Sequence, residues 1–345
     1  MAAYLANPWI HGVVFGGALV TFLMTWGGFA TWWERKFAAR IQSRYGPVAV
    51  GPWGILQAVA DVIKLIQKEH IVPRDADSPL YNLAPWLPVF LVLASAATVP
   101  FGGYFDEAGK WQSYLVVADL DVGILWVLAL AGLMVFPIWM AGWASNNKYA
   151  LLGGMRAVAQ GISYEIPLVL SAIVPVVACE TLSISEIIAW QAENGWLVWR
   201  VYGIGFVAFV VFFLASLAEA NRIPFDIPEA ESELVGGVLI EYTGIRMGIV
   251  MVAEYVHTLV ASALAVALFF GGGHMPFLSA MLPWFMAPVW MSLKTAVLFV
   301  FIYWVRWSWV RFRADQLMVL CWNWLVPGTL MMVMGTALMK FGGLL

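Results

Sequence analysis

Charge is scarce in this chain. Only 11% of its 345 residues are Asp, Glu, Lys or Arg, against about 25% in an ordinary soluble domain. There are two cysteines, Cys179 and Cys321. Both adjoin apolar runs and support neither a disulfide framework nor a metal site, and there is no cysteine cluster for an iron–sulfur centre. No glycine-rich nucleotide loop follows a strand-like run. The net charge of −3 lacks the basic excess that nucleic acid would require.

What the chain has is hydrophobic length. Apolar residues make up 62% of it, its mean hydropathy is +0.83, and the apolar residues fall in runs of about 20, enough to cross a bilayer as helix. The predicted fold is all-α and polytopic, a single membrane domain over 1–345. Eight spans are expected: 10–33, 83–104, 119–142, 156–179, 199–218, 236–270, 284–306 and 317–341. The first run has no basic leader and no small-residue cleavage site, so it reads as a retained span. The sixth is too long. Residues 234–270 would make about 55 Å of helix, against a hydrocarbon core of about 30 Å. Gly236, Gly237, Gly244 and Gly248 crowd its first half. The segment is therefore either strongly tilted or broken, with its irregular part buried in protein.

Lys and Arg are unevenly shared between the loops. Those after spans 1, 3, 5 and 7 hold 13 of them and the opposite side 3. The positive-inside rule then sets the basic loops in the cytoplasm and both termini outside. In the first basic loop (34–82), Gln57, Asp61, Lys64 and Lys68 form a polar stripe. Ile55, Val59, Val62 and Ile66 form the opposite face, which predicts an amphipathic surface helix. The Gly- and Pro-rich "RYGPVAVGPWG" before it is a turn.

Carboxylates gather where lipid or an apolar flank is expected. The stretch "EANRIPFDIPEAESELVGGVLIEY" holds six acids in the 24 residues 219–242. Its loop portion, 219–235, has Arg222 as its only base. Pro224, Phe225, Ile227 and Pro228 interleave with the acids, as a folded acidic wall would require and a solvated loop would not. Glu165, Glu241 and Glu254 lie inside predicted spans, as do Arg246 and Lys294. A charge at the bilayer centre costs at least about 2.5–3.5 kcal/mol, so each must face protein or water. The bland reading is packing pairs such as Glu241 with Arg246. The functional reading is a set of carboxylates able to exchange protons.

Four blocks carry a family resemblance. "ERKFAARIQSRYGPVAVGPWGILQAVADVIKLIQKE" (34–69) and "PFDIPEAESELVGG" (224–237) with Glu241-Tyr242 resemble the two signatures of the H-type membrane subunit of the proton-pumping NADH:quinone oxidoreductase, respiratory complex I. "AGWASNNKYALLGGMRAVAQGISYEI" (141–166) and "RFRADQLMVLCWNWLVP" (311–327) match further blocks in the same order. The chain departs from the family at Val48-Ala49-Val50, at Val238-Leu239-Ile240 and at Asn323.

The resemblance implies a subunit without a complete active site of its own. It would form the quinone-binding tunnel and relay quinone reduction to proton translocation. Glu34, Arg35 and Arg44 would line the quinone path, with Trp53, Leu56, Val59 and Phe225 on its apolar wall. Asp61 and Lys64 would shape the tunnel or dock the hydrophilic arm. Asp226, Glu229, Glu231 and Glu233 would form an acidic funnel, continued inward by Glu165, Glu241 and Glu254. Arg311, Arg313 and Asp315 would be interface contacts. The bound substrate would be a quinone, ubiquinone or menaquinone, with no flavin, iron–sulfur cluster or metal in this chain. The partners would be the hydrophilic subunits B, C/D and I, the membrane subunits A, J and K, and the bilayer. The alternatives are the related subunit of a membrane-bound hydrogenase or other redox-driven pump, and, less closely, an ion or solute carrier. A carrier would show inverted repeats, and none is visible.

Overall fold

A computed structural model describes residues 8–105, 111–228, 231–275 and 286–343. Helix α1 (Pro8–Ile41) leads through a turn to α2 (Gln57–Gln67). Next come α3 (Ser78–Leu83) and α4 (Trp86–Ala96). Strands β1 (Gly102–Phe105) and β2 (Trp111–Tyr114) pair antiparallel, Gly102 opposite Tyr114. Then follow α5 (Gly123–Gly132), α6 (Val135–Ala144) and α7 (Lys148–Cys179). After these come α8 (Ile184–Asn194), α9 (Leu197–Arg200) and α10 (Ile204–Glu219). The chain continues with α11 (Glu231–Leu234), α12 (Ile245–Phe269) and α13 (Ala287–Ser308). It closes with α14 (Ala314–Val319), a π-helical segment (Leu320–Leu325) and α15 (Val326–Phe341).

Among the described residues, seven helical stretches are long and apolar enough to cross a membrane: 12–41, 78–96, 123–144, 148–179, 245–269, 287–308 and 314–341. The remaining apolar helix, α10, has 16 residues, roughly 24 Å, short of the hydrocarbon core. The expected span 199–218 is thus broken. Gly203, at φ 84°, ends the preceding turn in a conformation that favours glycine. The expected span 83–104 is also corrected. Its helix lies earlier, at 78–96, and 102–105 is a strand, because Pro100, Gly102 and Gly103 stop a helix and suit a hairpin.

Helix α12 sits centrally, packed against α1, α4, α10 and α13, and its second half is almost wholly buried. The segment before it resolves the length problem as a break. Residues 237–239 form a 3₁₀ turn, and Gly244, at φ 61°, precedes the first turn of α12. The unwound stretch is held by its neighbours, as backbone at this depth must be. The Tyr81 hydroxyl donates to the Glu241 carbonyl at 2.6 Å. The rings of Tyr81 and Tyr242 stack 4.3 Å apart.

Small residues set the close helix contacts. A Cβ on Gly142 of α6 would come within 2.6 Å of the Ala150 carbonyl of α7, the kind of approach that small residues allow between membrane helices. A Cβ on Gly27 of α1 would sit 3.1 Å from Val252 of α12.

Candidate functional site

The approach of α1 to α12 decides where Glu34 goes. Gly27 and Glu34 are seven residues apart, two turns along one face. Glu34 therefore meets α12 as Gly27 does, and it is 5% exposed. It accepts a hydrogen bond from the Tyr255 hydroxyl and forms an ion pair with Arg306 at the end of α13. Tyr255 and Tyr303 stack, centroids 6.4 Å apart. The Arg222 guanidinium lies 4.5 Å from the Tyr255 ring centroid, and its Nη2 is 3.4 Å from the Glu254 carboxylate. Burial alone would lower the Arg222 pKa. The acids and phenols around it, Glu254 foremost, outweigh that and hold it above the ordinary value.

A second buried group adjoins α12 one turn on. His257 Nε2 is 3.8 Å from Glu219 at the end of α10. Glu165 of α7 lies close enough to Glu219 for their charges to interact. A Cβ on Gly132 would overlap the Glu165 carboxylate, so glycine there leaves it room. Glu219 and His257 border a cavity of about 30 Å3, also lined by Ser95 and Ser216. That exceeds the roughly 10–15 Å3 a water needs, and the lining offers polar partners. Glu254 borders a neighbouring cavity of similar size with Asn221 and Pro228.

The structure scatters the remaining expected residues. Glu241 stands in the unwound stretch and accepts from Asn147 Nδ2 at 2.7 Å. Among the described residues it forms no ion pair with Arg246, whose guanidinium lies over the Tyr81 ring. Glu233 is not the unpaired acid that the local sequence suggests. Arg156 donates to it at 2.5 Å and Arg311 approaches to 3.8 Å. The Arg156 hydrogen bond holds its carboxyl below the usual range. Asp226 is half-buried in the loop. Glu231 lies in α11, and Glu229 falls outside the described residues.

Phe225 is 0% exposed and packs against Tyr164 and Phe312 at 5.6 and 5.7 Å. Gln160 pins its carbonyl at 2.7 Å.

The first loop behaves differently. Arg35 donates to Asp61 at 2.6 Å, and Gln57 to the same carboxylate at 3.0 Å. Arg44 donates to Gln42 at 2.7 Å. Lys64 is exposed. Leu65 touches Gly248 of α12. Trp53, Leu56, Val59 and Ile66, however, are all at least half exposed. The apolar face of α2 points away from this chain. Arg313 and Asp315 are exposed at the start of α14.

The residues that sequence reasoning did not select are Glu219, Arg222, Tyr255, His257, Tyr303 and Arg306. His257 follows Glu254 by three residues, and so shares its side of α12. That spacing is the one local signal. Nothing local ties Arg306 to Glu34.

A family model described as NADH dehydrogenase matches residues 15–337. The chain is 43% identical over 314 residues to the H-type subunit of the NADH-quinone oxidoreductase of Protochlamydia amoebophila, covering 91% of this chain and 92% of that one. It is 44% identical over 338 residues to NADH-quinone oxidoreductase subunit 8 of Thermus thermophilus, covering 97% and 88%. The H-type subunit of a Geobacillus strain is 43% identical over 342 residues, covering 97% and 96%. The chain belongs to the NADH dehydrogenase family.

Proposed function

We propose that this member of the NADH dehydrogenase family works as the membrane subunit of an NADH:quinone oxidoreductase that receives quinone and relays its reduction to proton translocation. The observation that carries the reading is the buried chain of ionisable groups from Glu34 through Tyr255 and Arg222 to Glu254, with Glu219, His257 and Glu165 beside it. Buried charges are expensive, and a structural role would be served as well by apolar packing. A chain of them beside cavities that admit water is what proton movement needs.

Quinone reduction takes two electrons and two protons. On this reading the electrons come from partner subunits. The charge that appears on the reduced headgroup acts on the nearest ionisable side chains. Glu34, held by Arg306 and Tyr255 at the head of the chain, responds first. Its change of hydrogen bonding reaches Arg222 and Glu254 through Tyr255. Leu56 and Val59 on the outward face of α2 form one wall of the quinone path, and a hydrophilic partner supplies the other. Glu233, held between two arginines, orders the acidic loop, and the relay runs through the deeper acids. The basic loops face the cytoplasm and the termini the periplasm, as the Lys/Arg bias dictates.

The test is Glu34→Gln in the assembled complex. NADH oxidation with an artificial acceptor should persist while quinone reductase activity and proton uptake in vesicles fall together by at least tenfold. Unchanged quinone activity overturns the reading.

A further inference from the structure

The far side of α1 carries a feature that the buried chain does not use. Trp32, Trp33, Lys36, Phe37 and Arg40, with Trp53 from the following turn, line a groove of about 420 Å3. That is within the roughly 300–1,000 Å3 of small-molecule sites. Lys36 stands about 200° around the helix from Glu34, so the groove opens away from α12.

Three observations describe what would fill it. Arg35 has Asp61 as its partner, whereas Lys36 and Arg40 form no ion pair among the described residues. Trp32, 9% exposed, forms the packed floor of the groove. From the groove an aromatic ladder runs back along α1 into its apolar part. Trp33 lies 6.4 Å from Phe29, Phe29 6.0 Å from Trp26, and Trp26 6.2 Å from Phe22. Phe22, Phe29 and Trp33 are each more than a third exposed. The ladder covers about 16 Å of helix.

We propose that this groove binds one anionic phospholipid. Its phosphate sits between Lys36 and Arg40, its ester oxygens face the tryptophans, and an acyl chain lies along the Trp33–Phe29–Trp26–Phe22 stripe. Charge decides against the rival occupants. A quinone is neutral and leaves both cations unmatched. An acidic segment of a soluble partner would match the cations, and could not follow the stripe into hydrocarbon.

The whole complex tests this. It is purified in a neutral detergent and exchanged against micelles containing dioleoylphosphatidylglycerol or dioleoylphosphatidylcholine, and the retained lipid is counted by native mass spectrometry. Wild type should keep one more phosphatidylglycerol than the K36Q/R40Q variant, whose retention should be about thirty-fold weaker for two lost cations. The charge-conserving K36R/R40K variant should keep the lipid. Millimolar inorganic phosphate should not displace it. Equal retention in K36Q/R40Q overturns the proposal. So does displacement by phosphate alone, which would leave a free-anion site. Displacement by a short-chain quinone, or loss of a partner subunit in place of lipid, overturns it as well. If K36Q/R40Q fails to assemble, the wild-type preference decides, and equal binding of phosphatidylcholine and phosphatidylglycerol sinks the idea.

Discussion

Glu34 of α1 and Arg306 of α13 form an ion pair with side chains only 6% and 22% exposed, although 272 positions separate them in sequence. Each would be an uncompensated charge without the other. Removing one partner of such a pair typically costs about 3–5 kcal/mol, whereas replacing both by apolar residues is often neutral. Glu34→Ala should therefore lower the thermal stability of the complex by that order. Glu34→Met with Arg306→Met should recover most of it while leaving quinone activity lost. A melting curve and a turnover assay on the same preparations separate the two effects.

Lys294, a charge in an apolar span, proves to be a cap. Its ammonium donates to the carbonyls of Phe270, Gly272 and His274 at 2.8, 2.8 and 2.5 Å. These carbonyls lie at the C-cap of α12 and in the turn beyond it, where no helical ladder pairs them. Lys294→Met keeps the volume and removes the donors, at about 1–3 kcal/mol for each buried carbonyl left unsatisfied. Hydrogen exchange at 270–275 should rise by an order of magnitude or more. Unchanged protection there would show that the carbonyls find other partners.

His274 predicts a pH dependence. Burial, assisted by the Lys294 charge, pulls its pKa from 6.5 down to about 4. Between those values the unfolded chain binds more protons than the folded one, so stability rises with pH across the window. The contribution is present in full above about pH 6.5 and is lost as the pH falls toward 4. A His274→Gln variant, titrated by thermal melting beside the wild type, should show a flatter acid limb. Parallel limbs would count against this assignment.

Glu165 and Glu219 interact, and His257 faces Glu219. Glu165→Gln and Glu219→Gln should each depress proton uptake, and the double variant should lose less than the sum of the two. Strict additivity in vesicle assays would mean that the two acids work independently.

Much of this was legible in sequence because it depends on length and period alone. Runs of about 20 apolar residues must be helices in a bilayer. The 57–68 polar stripe required an amphipathic helix, and α2 runs over 57–67. The excess length of 234–270 required a break or a tilt, and the break fell at Gly236, Gly237 and Gly244, with Gly248 inside α12. The ends of spans 2 and 5 were misplaced, because hydropathy does not register the strand propensity of 102–105 or the left-handed turn at Gly203.

The pairing of charges could not be read this way. Composition alone demands that a buried acid find a partner, and it does not say which one. Glu233 looked unpaired beside Arg222, and its partners came from Arg156 and Arg311, 77 and 78 positions away. Phe225 packs against Tyr164 and Phe312, 61 and 87 positions away, and no local pattern names those neighbours. The sequence determined that this chain spans a membrane and that its carboxylates must face protein or water, because solvation energy depends on local composition. Only the tertiary structure decided that Glu34, Tyr255, Arg222 and Glu254 form one buried series, because that depends on which helix faces meet and at what depth.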